Sequence, residues 1–114
     1  MIDETTLRAI LDGLHEVITF VGPDHVTRYM NQLAVEHFAE DGGAELVGRS
    51  IFDCHNERSG QIIRQVWVRF QEGEDETLIS EDEKRRIYMR AVRDGDGTLL
   101  GYYERYEYLS PGRK

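Results

Sequence analysis

Apolar residues Leu7, Ile10, Leu11 and Leu14 recur at intervals of three and four, the spacing that gathers side chains on one face of a helix. Asp3 or Thr5 can accept the first free backbone N–H groups, so a short amphipathic helix is expected at the N-terminus. The pattern then changes. "EVITFVGPDHVTRYMN" holds two runs rich in β-branched and aromatic residues around Gly22-Pro23-Asp24, where proline's fixed φ and a turn-forming aspartate favour reversal. A two-stranded hairpin is the expected result. Met30, Leu33, Ala34, His37 and Phe38 can share one face of a second helix that stops at "EDGG", residues 40–43. "AELVGRSIFDC" reads as one or two helical turns broken at Gly48.

The next segment has the clearest period. In "SGQIIRQVWVRFQEG", Ile62, Ile63, Val66, Trp67 and Phe70 form a helical stripe, Ser59 or Asn56 can cap its start and Gly73 can end it. By amphipathicity that stripe is core. The remainder reads as β: "ETLIS" and "RRIYMRAV" joined by the charged "EDEKR", then "DGDG" leading into "TLLGYYERYEYL". Ile87, Met89 and Ala91 alternate with Tyr88 and Arg90, which predicts one apolar face. In the last strand Tyr102, Glu104, Tyr106 and Tyr108 share one face and Tyr103, Arg105 and Glu107 the other. The order is helix, two strands, helical middle, three strands. Five such strands must bury a face, and the helical middle is what can cover it, giving an α+β class.

Composition narrows the function. A chain of 114 residues is the size of one domain with one core, and 39% hydrophobic with 32% charged residues is a globular balance. No apolar run approaches the roughly 20 residues that cross a bilayer, and "MIDETTLRAI" is acidic and unlike a secretory signal, so a cytoplasmic location with no membrane partner is expected. The net charge of −8 repels a phosphate backbone, which argues against nucleic acid. Cys54 is the only cysteine, so it forms no internal disulfide and no multi-cysteine metal site.

With these elements in hand, the chain resembles the PAS domains, sensory modules with a five-stranded antiparallel sheet and a helical flank over one face enclosing a small pocket. The resemblance runs from "VITFVGPDHVTRYMN" through "LVGRSIFDCH" and the long helix to "RAVRDGDGTLLGYYERYE". More specifically, it looks like a bacterial subgroup with a Cys-His-Pro-Pro motif before the long helix, an "AVRD-x-x-G" turn and a glutamate in the last strand. Cys54 and His55 match the first motif; Ala91, Val92, Arg93, Asp94 and Gly97 match the turn; Glu104 matches the acid. Asn56 and Glu57 stand where the prolines would be. The division that follows is an N-terminal helix over 1–14 acting as a cap or dimer element, a PAS-like domain over 15–109 and a tail over 110–114.

The resemblance implies that the loop with Cys54 and His55 lies at the pocket edge, facing Tyr102, Glu104 and Tyr106 across a cavity lined by Ile87, Met89, Trp67 and Phe70. A few polar groups converging in an apolar cavity suit a small ligand. The competing reading is structural: a buried Glu104 is hydrogen-bonded by His55 or a tyrosine, with no ligand. Cys54 reads as a small buried hydrophobe before it reads as a reactive thiol. The cofactor is left open. Haem stays open because Cys54 or His55 could ligate iron, although haem-binding PAS relatives usually carry the histidine on the long helix. Flavin is disfavoured, since the Asn-Cys-Arg motif of the flavin photosensors is absent. His25 is expected to be solvated in its turn, His15 at a helix end, His37 at the core's flank, and none has metal-ligand spacing. No nucleophile–base–orienter set or phosphate loop marks an enzyme. The expected function is a sensory or signalling domain binding a small ligand or cofactor between sheet and helices, with a homodimer as the expected partner state; the alternative is a ligand-free protein–protein interaction or dimerisation module. A signalling partner protein is compatible with both.

Overall fold

The expected N-terminal helix, α1 (Glu4–Asp12), begins where Asp3 accepts the Thr6 N–H at 2.8 Å. The computed structural model describes residues 1–53 and 55–109. The hairpin follows as β1 (Thr19–Val21) and β2 (Thr27–Met30). Met30, expected on the second helix, instead ends β2. The reason is Asn31, whose Oδ1 accepts the Ala34 N–H at 3.0 Å and so starts α2 (Gln32–His37) one residue later. Two 3₁₀ turns, Ala39–Asp41 and Gly43–Leu46, carry the chain to Gly48, and a third covers Ile51–Asp53. Gly48 has φ +93, which permits the break expected there.

Helix α3 (Glu57–Gln71) is capped by Asn56, whose Oδ1 accepts the Ser59 N–H at 2.8 Å. It buries Ile63, Val66 and Phe70. Strands β3 (Glu76–Glu81), β4 (Arg85–Arg93) and β5 (Leu99–Tyr108) complete a five-stranded antiparallel sheet in the order β2-β1-β5-β4-β3. The N-terminal hairpin thus sits beside the last strand, which places β5 at the middle of the sheet. Gly101 makes that junction fit: its φ is +153, and a Cβ there would stand 2.1 Å from the Val21 carbonyl oxygen.

One sheet face meets α3. Val21, Met89 and Tyr102 pack there with Ile51, Ile63, Val66 and Phe70, and a neighbouring cluster joins Val17, Met30, Ala34 and Tyr106 beneath α2. The "AVRD-x-x-G" stretch locks this layer in place. Arg93 donates from Nη2 to the carbonyls of Phe70 at 2.7 Å and Glu74 at 3.1 Å, so the C-terminal end of α3 is tied to β4. Asp94 accepts the N–H groups of Asp96 and Thr98, shaping the turn to β5.

On the opposite face, α1 lies beside Ile18, Phe20, Tyr29, Val92 and Tyr103 across a groove of about 530 Å³. Leu11 is half-buried, whereas Leu7, Ile10 and Leu14 are 47%, 51% and 41% exposed. Asn31, fully buried, holds the two ends of this region together. Its Nδ2 donates to the Leu11 and Glu16 carbonyls at 2.9 and 2.8 Å, and its Oδ1 also accepts the Ile18 N–H at 3.1 Å. The charged "GEDE" and "EDEKRR" runs lie at strand ends in exposed or partly exposed ion pairs such as Arg69–Glu74 and Arg86–Glu81.

Candidate functional site

Period-two alternation in β5 sends Tyr102, Glu104 and Tyr106 to the inner face, toward the helices. Two of them, Tyr102 and Tyr106, are buried residues; Glu104 is half-buried as a residue with its carboxyl in the interior. The Tyr106 hydroxyl donates to Glu104 Oε1 across a long 3.5 Å. In the register of the sheet Glu104 stands opposite Met89, which is fully buried.

His55 sits one residue before the Asn56 cap of α3. Its Nδ1 lies 2.6 Å from the Ile51 carbonyl oxygen, so Nδ1 carries the proton that it donates, and the ring orientation is set by the 3₁₀ turn before it. As a residue His55 is exposed, at the rim of the site.

Between these elements lie two adjoining spaces. An inner cavity of about 40 Å³ is walled by Thr19, Val21, Ile51, His55, Ile63, Met89, Tyr102 and Glu104. An outer cleft of about 240 Å³, open to solvent, is bordered by His55, Ser59, Ile62, Ile63, Ile79, Ser80, Ile87 and Glu104. His55, Ile63 and Glu104 are common to both. Glu104 therefore stands where the outer cleft narrows into the sheet.

Burial pushes the Glu104 carboxyl up from its ordinary value of 4.5, while the nearby His55, the Tyr106 hydrogen bond and Arg85 pull it down in that order. The same burial, with the Glu104 charge beside them, raises both Tyr102 and Tyr106 well beyond the usual phenol range. Both tyrosines thus stay protonated and act as hydroxyls. The chemistry available is hydrogen bonding and charge recognition around one acid, against apolar walls. Among the described residues no group of three or more His, Cys, Asp or Glu could hold a metal ion.

Of the residues singled out from sequence, His55, Glu104, Tyr102 and Met89 border one inner cavity. Tyr106 touches it only through its bond to Glu104. Trp67 lies elsewhere: one turn beyond Ile63 on α3, it packs its ring 5.7 Å from Tyr102 and 5.4 Å from His25. Cys54 falls outside the described residues.

His25 departs from expectation. Instead of lying solvated in its turn it is half-buried, with its ring 5.1 Å from Phe52 and its Nδ1 2.8 Å from the Tyr102 hydroxyl. A φ of +64 turns it inward, and three rings from distant segments, Phe52, Trp67 and Tyr102, supply the burial that the local turn sequence does not reveal. Thr19 was not a candidate either. It shares the inward side of β1 with Val21, and the alternation of Val17, Thr19 and Val21 is the signal that could have found it.

Comparison with known proteins agrees with this architecture. A C-terminal domain from Streptococcus mutans is 24% identical, with a TM-score of 0.78 over 97% of this chain and 88% of that one. A sensory box sensor histidine kinase from Vibrio cholerae is 17% identical, with a TM-score of 0.59 over 93% of this chain and 91% of that one. The Aer2 receptor from Vibrio cholerae, described as a dual PAS-heme oxygen sensor, is 15% identical, with a TM-score of 0.59 over 88% of this chain and 99% of that one. Comparison by sequence with curated proteins returned no match. The PAS fold family model matches residues 11–110, from the end of α1 through β5, and the chain belongs to that family.

Proposed function

We propose that this chain is a sensory domain that binds a small ligand in the cleft between α3 and the inner face of the sheet, and signals by a shift in population. The observation that carries this reading is the position of Glu104: an interior carboxyl, with one long hydrogen bond, at the junction of two spaces that His55 also borders. A structural acid would be expected to have its oxygens more fully satisfied. Ligand contact at Glu104 would load β5, and contact at His55 would load the turn that precedes α3. The subgroup with the Cys-His-Pro-Pro motif supplies the precedent for pairing these two residues, with Tyr102, Tyr106 and Met89 behind them.

Haem fits this space poorly. The inner and outer volumes of about 40 and 240 Å³ lie below the roughly 300–1,000 Å³ of pockets that take drug-sized ligands, and a haem is larger still. A compact metabolite suits the site better than a tetrapyrrole.

A second reading has its own support. Leu7, Ile10 and Leu14 are exposed beside the 530 Å³ apolar groove on the outer face, which favours pairing with a second copy or with a signalling partner. Dimerisation through α1 over residues 1–14 is compatible with ligand binding over 15–109 and would carry the signal outward. Acting alone, it would make the chain a ligand-free interaction module, cytoplasmic and without catalysis.

Native mass spectrometry of the purified protein, with an absorption spectrum, separates these readings. Ligand binding gives an added mass of small-metabolite size that is lost on unfolding and is absent from Glu104→Gln. A single species at the mass of the chain or its dimer, unchanged by metabolite extracts, would leave only the interaction module.

A further inference from the structure

The inner cavity contains a second unmet polar group. Thr19 Oγ1 is buried and has no hydrogen-bond partner among the described residues. A buried hydroxyl left unpaired destabilises by about 1–3 kcal/mol, so such an atom is ordinarily met by water or ligand. Thr19 lines the same 40 Å³ space as Glu104. That space is large enough for one water or one polar head group, at roughly 30 Å³ per water of liquid volume.

The groups around this space define what fills it. An ionised Glu104 offers acceptor positions only, and a single 3.5 Å bond leaves most of them open. Thr19 Oγ1 can also accept. The Tyr102 hydroxyl is already engaged by His25 at 2.8 Å, His55 gives its Nδ1 proton to the Ile51 carbonyl and when neutral keeps only an acceptor at Nε2, and Val21, Ile51, Ile63 and Met89 offer nothing polar. The unmet demand is therefore for donors, more than one, converging on a negative charge. An ammonium supplies three donors and the compensating charge together; an alcohol supplies one donor and no charge; a carboxylate adds repulsion.

Beyond Glu104 the chemistry changes to hydrocarbon. Ile62, Ile63, Ile79 and Ile87 wall the outer cleft, with Ser59 and Ser80 at its edge. At the same liquid density, the two spaces together hold on the order of eight non-hydrogen atoms. The net charge of −8 also favours approach of a cation over an anion.

Resting on the ligand-binding reading above, we infer that the ligand class is a small primary alkylammonium, its head seated between Glu104 and Thr19 and its short aliphatic body along Ile63, Ile79 and Ile87. The buried charge of Glu104 is then neutralised on binding, and the orphaned hydroxyl gains its partner.

Isothermal titration of the full chain with n-butylammonium, 1-butanol and butyrate tests the class directly. Butylammonium should bind at least about tenfold more tightly than butanol, with butyrate not binding, as expected for a charge-assisted contact. Glu104→Gln should remove most of that preference, and Thr19→Val should weaken butylammonium by about threefold or more. Equal binding of butylammonium and butanol would overturn the cationic head while leaving the cleft a binding site. No binding of either, with a different small mass retained by the protein, would overturn the ligand class alone. No binding of either and no retained mass would overturn both this inference and the sensory reading beneath it.

Discussion

His25 and Tyr102 meet at 2.8 Å between the imidazole Nδ1 and the phenolic oxygen, a contact that ties the turn between β1 and β2 to the middle of β5. The pair is walled by Phe52 and Trp67, and Tyr102 also borders the inner cavity. Removing the hydroxyl in Tyr102→Phe leaves a half-buried imidazole without that partner. A loss of about 1–2 kcal/mol is expected, read from urea unfolding at neutral pH. An unchanged midpoint would show that the contact does not contribute to stability.

The same contact has a pH signature. Burial lowers the His25 pKa from 6.5, and Arg64 adds to the effect while Asp24 opposes it. The folded protein therefore binds the proton less readily than the unfolded chain. The contribution of His25 is fully present above pH 6.5 and is lost as pH falls through 6.5 toward the lower folded value. A stability-against-pH series should slope downward on the acid side of that point, and His25→Phe should flatten the slope. Persistence of the full slope in His25→Phe would assign it to other groups.

Glu104 carries the opposite sign. Its folded pKa is raised above 4.5 by burial, so the ligand-free fold is favoured when the acid is protonated and loses that advantage as pH rises from 4.5 through the folded value. Glu104→Gln removes the titration. In the absence of ligand the variant should be more stable than the parent at neutral pH, by of order 1 kcal/mol, and should lose the ligand response. A less stable Glu104→Gln would indicate that the carboxylate is held by structural partners with no ligand involved.

Asn31 is the strongest structural position. Its side chain makes four hydrogen bonds, two donated to Leu11 and Glu16 and two accepted from Ile18 and Ala34, and it is fully buried. Asn31→Ala orphans all four backbone groups at once, and a loss of about 3 kcal/mol or more is expected by chemical denaturation. Asn31→Asp should do as badly, because it turns an acceptor toward two carbonyl oxygens.

The exposed side of α1 tests the assembly. Leu7→Glu with Ile10→Glu places charge on two positions that are about half exposed, so the fold should survive with little change in stability. If α1 pairs with a second copy, light scattering should show the parent as a dimer and the double variant as a monomer at the same concentration. A parent that is monomeric throughout would remove the homodimer.

Much of the fold was legible because its periods are strict. The Ile62-to-Phe70 stripe, the Ile87, Met89 and Ala91 alternation, and the opposed faces of β5 each depend only on local geometry. Met30 was read both in the hairpin and on the second helix because an apolar residue there fits either period, and only the Asn31 cap decides it. The site was legible in part. His55 and Glu104 could be brought together through family resemblance, since no local pattern links residues so far apart. His25 was not legible: its burial depends on rings from the turn before α3, from α3 itself and from β5, none of them encoded in the Gly-Pro-Asp turn. Trp67 does not border the inner cavity, since a helical stripe fixes the face but not which residue of that face reaches a given space. The orphaned hydroxyl of Thr19 is a missing contact, and a missing contact has no sequence signature.

The central claim is that a small molecule occupies the cleft beside Glu104 and His55. Isoleucine methyl NMR of the full chain, titrated with a low-molecular-mass metabolite extract, reads that cleft directly. Saturable shifts should appear at Ile62, Ile63, Ile79 and Ile87, which wall it, and be lost in Glu104→Gln, while Ile2 and Ile10 on the N-terminal segment stay still. Unmoved cleft methyls under the same titration, or shifts confined to the α1 side, would contradict the account.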